Sequence, residues 1–447
     1  MRRMLLWSSA AVLAMMSPLT GSAAAGATSP SQAAAQNYYV SGSGSDINSG
    51  RSTIAPFRSI QRAADLTRPG DTVNIMNGTY GDTSTEGVVQ IKRSGAPGKV
   101  ITYRALPGHH PVLKPVTGWN GIVLIGASYI TIEGLEIKGD SAAITLEQAT
   151  AGASDSRPRF NTNCINTRED RDTGALSHHL TIRGNYVHHC PGAGIGVMYG
   201  DHVLIERNRV HTTSWYAVYG TSGISVYEPI DVAPPANGES YKVVIRNNIS
   251  YDNENKVKWI GCDCISDGNG IIVDDTLQRQ SGKKAYTGRI LVANNIVFNN
   301  GGTGIHAYLG RDVDIVHNTA YLNSRSPALN NPNIGAWSST NVNILNNISY
   351  ARAGKATTFP AGDTNVRYDF NIYFGGLPPQ ARGPNDIIAD PRFANASTDP
   401  ATADFWLQPQ SPAVDSGTNS IPVSTDYFGT RRPQGAAPDR GGIERTR

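Results

Sequence analysis

The 447 residues carry 39 Lys and Arg against 36 Asp and Glu, a formal charge of +3, so charge suggests neither a nucleic acid nor a membrane surface as partner. Charged residues are only 17%, while 47 glycines and 26 prolines suit many short strands joined by tight turns. The length allows two or three ordinary domains or one long solenoid.

In chain order, Arg2 and Arg3 precede an apolar stretch over residues 5–19 and the small residues 22–25. About 15 apolar residues are too few for a span, which needs roughly 20, so residues 1–25 read as a cleaved export signal. Residues 26–36 then read as a leader, and the chain is expected to be secreted, extracellular or periplasmic. Residues 56–66 have helical spacing ahead of a strand at 71–76, placing a short helix where a solenoid needs its open core capped.

From there an asparagine recurs, as Asn185, Asn208, Asn248, Asn295, Asn318, Asn347 and Asn371, at gaps of 23, 40, 47, 23, 29 and 24. A gap near 23 is one coil of three short strands and three turns, and like residues of successive coils stack. The fold class read from this is all-β: a single-stranded right-handed parallel β-helix with a short N-terminal capping helix, over residues 37–376. An asparagine at a fixed turn suits left-handed backbone angles and a side-chain ladder. Three residues after each one stands His188, His211, Tyr251, Phe298, Tyr321, Tyr350 or Phe374, a second stack whose simplest reading is structural. Asn248 and Asn347 also begin Asn-Ile-Ser sequons, but the ladder is the better reading of both.

A second strand keeps the same beat at 194–199, 223–228, 270–275 and 304–309. Period-2 alternation turns Gly196, Ser225, Ile272 and His306 outward, followed by Met198, Tyr227, Asp274 and Tyr308. The two long gaps hold insertions at 229–240 and within 253–289, which flank the Asp274 strand and point to a binding face there. Past Asn371 the repeat fades, and residues 377–447 read as an irregular tail packed on the helix. Cys164, Cys190, Cys262 and Cys264 allow three pairings. Cys164 with Cys190 would staple neighbouring coils, and Cys262 with Cys264 stand too near in sequence for an easy bond.

Residues 38–50, with Gly70-Asp71-Thr72-Val73 and Gly78-Thr79-Tyr80, resemble the opening of secreted β-helix proteins, among them pectate lyases of the ninth polysaccharide lyase family. Residues 129–137 resemble their first coils, and residues 389–393 and 410–417 the closing segment of many such proteins. The resemblance implies a Ca²⁺ held by aspartates beside a lysine base. Ser266-Asp267-Gly268 is similar to the Asp-Gly step that carries one calcium ligand, which makes Asp267, Asp274 and Asp275 the expected metal seat. No lysine falls on the outward positions of the following coils, and Lys256 and Lys258 stand in for it by position only.

Elimination from a uronate needs a charge to neutralise the carboxylate, a base for the C5 proton and an acid for the leaving oxygen. The residues expected to act are His306, Tyr308, Lys258 and Arg311. Trp215, Tyr227, Trp259, Arg279 and Arg289 are expected to hold an acidic polysaccharide by stacking and forked hydrogen bonds. Lysis of such a polysaccharide is the leading expectation, with a monomer as the default assembly. The rival is hydrolysis, because Asp274-Asp275 followed by His306 is similar to the acid pair and histidine of polygalacturonase-type hydrolases. Epimerisation, and a solenoid that only binds carbohydrate, complete the alternatives.

Overall fold

The computed structural model describes residues 34–154, 157–234, 240–358 and 361–446. The export signal at 1–25, and the leader up to residue 33, lie outside them. Residues Ala35–Arg447 form one compact unit.

The chain is a right-handed parallel β-helix of three sheets, two of eleven strands and one of eight. Each central coil contributes one strand to each sheet in turn, and strands of successive coils pair parallel and in register, as in Ile195↔Ile224↔Ile271↔Ile305↔Ile334. Alternate residues face inward and close the core. Ile195, Ile224, Ile271 and Ile305 have no exposure, nor do Val197, Val226 and Val273 beside them. Burying each such side chain contributes about 1.5–3 kcal/mol, and the stack of identical β-branched residues fixes the register, since a slip by one would turn every one of them to solvent.

The helix Ile60–Ala64 closes the N-terminal end. The Ser59 hydroxyl caps it by accepting from the Arg62 N–H, and Ile60, Ala63 and Ala64 are buried. Two more short helices, Leu146–Ala151 and Pro158–Asn161, sit in a turn insertion.

The asparagine ladder forms at the short turn between the two eleven-stranded sheets. In each coil the Oδ1 accepts both the backbone N–H and the Nδ2–H of the preceding ladder residue, at 2.8–3.0 Å from Asn185 to Asn371. Asp386 takes the last link. The left-handed backbone falls on the residue before each ladder asparagine, not on the asparagine itself: Gly184, Arg207, Asn247, Asn294, His317, Asn346 and Phe370 all have φ of 55–62°. The asparagine is needed for its side chain, and its neighbour absorbs the turn. Asn248 and Asn347 are buried at 0% and 1%, so the sequons sit inside the ladder.

The ring stack also forms. His188, His211, Tyr251 and Phe298 lie parallel at 5.1, 4.7 and 4.7 Å. It then turns edge-on at Tyr321, Tyr350 and Phe374. There the C-terminal segment drives in Phe405, 5.5 Å from Phe298 and 5.4 Å from Tyr321. The segment is held by a buried Arg432–Glu444 ion pair at 2.7 Å, and Arg440 hydrogen-bonds back to the carbonyls of Asn371 and Ser416. A second asparagine ladder, Asn253–Asn300–Asn323–Asn333, runs beside the first, five residues after Asn248, Asn295 and Asn318.

Cys164 and Cys190 bridge neighbouring coils. Cys262 and Cys264 also bond to each other, against expectation. The intervening Asp263 takes φ 51°, which folds the chain back and brings the two Cα atoms to 5.1 Å, an ordinary separation for a disulfide.

Candidate active site

The outer face of the eight-stranded sheet carries a cleft of about 880 Å³. Its floor is two rows of outward side chains set by the strand register. One row runs Asn166, Gly196, Ser225, Ile272, His306 and Gly335. The other runs Met198, Tyr227, Asp274, Tyr308 and Trp337. Insertions before the strands supply one wall, with Tyr219, Trp259 and Asp267, and insertions after them supply the other, with Arg171 and Gln280.

Two carboxyls dominate the cleft. Asp267 stands in left-handed backbone, φ 55°, and lines the cleft. Gly220 opposes it so closely that a Cβ there would lie 2.5 Å from Oδ2, which explains glycine at that position. Asp267 Oδ2 accepts from the Ser266 hydroxyl at 2.8 Å and Oδ1 from Asn269 Nδ2 at 3.2 Å. Burial raises its pKa, and those two bonds oppose the rise. Asp274, at the centre of the floor, is raised well above the usual carboxylate range, first by burial and then by the charges of Asp267, Asp275 and Glu228. Its Oδ1 is buried without a hydrogen-bond partner among the described residues. Glu228 is buried beside it and accepts from the Tyr227 hydroxyl at 3.1 Å.

His306 lies on the next coil, 6% exposed and edge-on to Trp337 at 4.5 Å. Burial pushes its pKa down to about 3, so the ring is neutral, and its Nδ1 has no partner among the described residues. Tyr308 is 41% exposed and stands in register between Asp274 and Trp337.

The structure therefore brings together Asp267, Asp274, His306, Tyr308, Tyr227 and Trp259. The other expected residues lie elsewhere. Asp275 is fully buried and spends both oxygens on the backbone N–H groups of Arg279 and Gln280, at 2.8 and 2.7 Å, so it closes a turn and takes no part in the cleft. Lys258 points to solvent and pairs with Asp263. Arg311, on an eleven-stranded sheet, pairs with its neighbour Asp312, and Arg289, just ahead of a strand of the same sheet, pairs with Asp314 at 2.5 Å. Arg279 is exposed in the turn that Asp275 closes. Trp215 packs under the inserted loop, its indole donating to the Asp252 carbonyl and its ring covered by Lys256 Nζ at 3.3 Å. Among the described residues no three His, Cys, Asp or Glu converge on a metal position. With Asp275 committed to a turn, the cleft does not fit the calcium seat expected from the sequence.

The sequence reading missed Asn166, Trp119, Arg171 and Trp337. Trp337 had a signal, since residues 334–337 repeat the second-strand pattern one coil further on. Arg171 sits on a loop with no periodic mark.

Residues 38–212 match the family described as the Pel9A-like, right-handed β-helix region. The resemblance read from the sequence holds over that region, and the chain as a whole is a right-handed parallel β-helix. The match ends before Asp267 and Asp274, so it bears on the scaffold and not on the acids. A curated relative, the uncharacterized protein YwoF of Bacillus subtilis (strain 168), is 34% identical over 119 residues, which span 25% of this chain and 24% of that protein. Among solved structures, pectate lyase Pel9A is similar over 93% of this chain and 97% of its own, at 15% identity and a TM-score of 0.49. The GH136 lacto-N-biosidase from Eubacterium ramulus is similar over 76% and 56%, at 15% identity and a TM-score of 0.44. Likenesses this distant say nothing of what this chain does. No helix among the described residues is long and apolar enough to cross a membrane.

Proposed function

We propose that the chain hydrolyses a glycosidic bond, with Asp274 as proton donor and Asp267 as its partner carboxylate. The observation that carries this reading is the acid pair itself. Two carboxyls face one cleft in different surroundings, Asp274 with a bare oxygen and a strongly raised pKa, Asp267 held by two hydrogen bonds. Environments that push two carboxyls apart assign the acid and the base. Asp274, whose pKa burial and the neighbouring carboxylates raise well above the usual range, passes its proton to the glycosidic oxygen as the C–O bond breaks. Asp267 loses its proton first and takes one from the water that adds to the anomeric carbon, or attacks that carbon itself. His306, neutral and buried, offers a hydrogen bond to a sugar hydroxyl, and Tyr308, Trp337 and Trp259 offer ring faces for stacking.

Elimination is the second reading, favoured by the Pel9A-like match over residues 38–212. It is weakened by the cleft. A neutral His306 with so low a pKa is a poor base, and Lys258 and Arg311 do not reach the floor. One experiment separates the two. Purified protein is incubated with a polysaccharide panel, with and without chelator, and products are read as reducing ends and as near-ultraviolet absorbance. Hydrolysis predicts reducing ends without absorbance, indifferent to chelator and lost in Asp274→Asn and Asp267→Asn. An absorbing, unsaturated product that disappears with chelator would establish elimination instead.

A further inference from the structure

The charge of the cleft and its length together narrow the substrate. We propose that the cleft takes an uncharged glycan chain, laid along the helix axis and cut internally. The proposal rests on the hydrolytic reading for the cutting, but not for the binding.

Charge argues first. Asp267 and Asp274 line the cleft and Glu228 is buried against Asp274, while Arg171, exposed on a loop, is the sole Lys or Arg among the described lining residues. Of the cations that the sequence offered for acidic sugar, Arg289 is engaged on Asp314 and Arg311 on Asp312, while Arg279 is exposed in the turn next to Gln280 and does not line the cleft. A uronate at the cleavage point would place a further carboxylate beside Asp267, Asp274 and Glu228, with Arg171 on the wall as the one lining cation among the described residues. An uncharged sugar meets no such cost. It finds rings on the floor and wall, and amide or hydroxyl groups at Asn166, Ser225 and Gln280.

Length argues second. The lining runs from Trp119, beside the strand Asn120–Ile125, to Trp337 on the strand Ile334–Trp337. Seven strands of one sheet, the two limits included, span this run, so six steps of about 4.8 Å give about 29 Å. Asp274 lies within that run, with lining residues on coils to both sides. A groove open along its axis with the acids inside it admits a polymer and cuts it away from the ends.

The test uses the full chain carrying Asp274→Asn, which binds without cutting, on affinity gels. The gels hold neutral polymers (glucan, mannan, galactan, xylan) or uronate polymers (polygalacturonate, alginate), at low and high salt and with Ca²⁺ or chelator. The proposal expects retardation by a neutral polymer, equal at both salt concentrations, and wild-type digests whose first products are long oligomers. It also expects Trp119→Ala to weaken binding of long chains several-fold while leaving short oligomers unchanged. Retardation by uronate polymers alone, weakened by salt, overturns the substrate class, and so does retardation by no neutral polymer. Release of mono- or disaccharide from the outset overturns internal cutting. Retardation by a neutral polymer that wild-type protein leaves intact would sink the hydrolytic reading while the substrate class stands.

Discussion

Two stacks run along this helix, and they differ in how their polar atoms are satisfied. At the turn between the eleven-stranded sheets, every ladder asparagine from Asn185 to Asn371 gives its Nδ2–H and receives on its Oδ1. On the floor of the eight-stranded sheet, the same repeat stacks Tyr227, Asp274 and Tyr308 beside His306, and there Asp274 Oδ1 and His306 Nδ1 are buried without partners among the described residues. A fold does not gain from burying a bare acid and a bare imidazole. The contrast teaches that repetition alone does not mark function in a solenoid. Satisfied stacks are scaffold, and the stack left unsatisfied is where a ligand completes the hydrogen bonds.

That contrast can be broken by substitution. The largest effect is expected at the floor: Asp274→Asn and Asp267→Asn should each lower kcat by about 10²–10⁴, in steady-state assays on whichever polymer is cut. Asn248→Ala comes next. It strips the acceptor of two Asn208 N–H groups and the donor to the Ile205 carbonyl, all buried. At roughly 1–3 kcal/mol for each buried group left unpaired, stability should fall by about 3 kcal/mol or more, read by denaturant unfolding, with activity per folded molecule unchanged. Smallest are Lys258→Ala and Arg311→Ala, which remove exposed ion pairs of about 0–1 kcal/mol. Both should leave kcat/KM and the melting temperature near wild type, and a tenfold loss of activity in either would return the cations to the mechanism.

The fold was legible because a solenoid repeats its signals. The asparagine period and the alternation at residues 194–199 and 304–309 place strands, faces and floor residues together, so Tyr227, Asp274, His306 and Tyr308 were all found by counting. Asp275 shows where counting stops. It is adjacent to Asp274 and chemically identical to it, but one residue further along it has left the strand, and the turn takes both its oxygens. Cationic positions failed for a related reason. Arg289 and Arg311 flank the inserted region in sequence, yet the coil carries Arg311 onto a different sheet and leaves Arg289 at the edge of that same sheet. The left-handed residues escaped too, because residues as unlike as Arg207, His317 and Phe370 take that backbone where stacking enforces it. Arg171 and the Cys262–Cys264 bond belong to loops, whose paths no period records.

The central claim, that Asp274 is buried for chemistry and not for the fold, is tested most directly by the melting temperature of Asp274→Asn against wild type across pH, with activity measured on the same preparations. The folded carboxyl has a raised pKa, so its contribution to stability is present below the unfolded value near about 4 and is lost as pH rises through the folded value. An asparagine does not titrate there. The account predicts an inactive variant at least as stable as wild type at neutral pH, with its advantage growing as pH is raised from about 4. A variant that melts earlier than wild type at neutral pH, or one that keeps its activity, would contradict it.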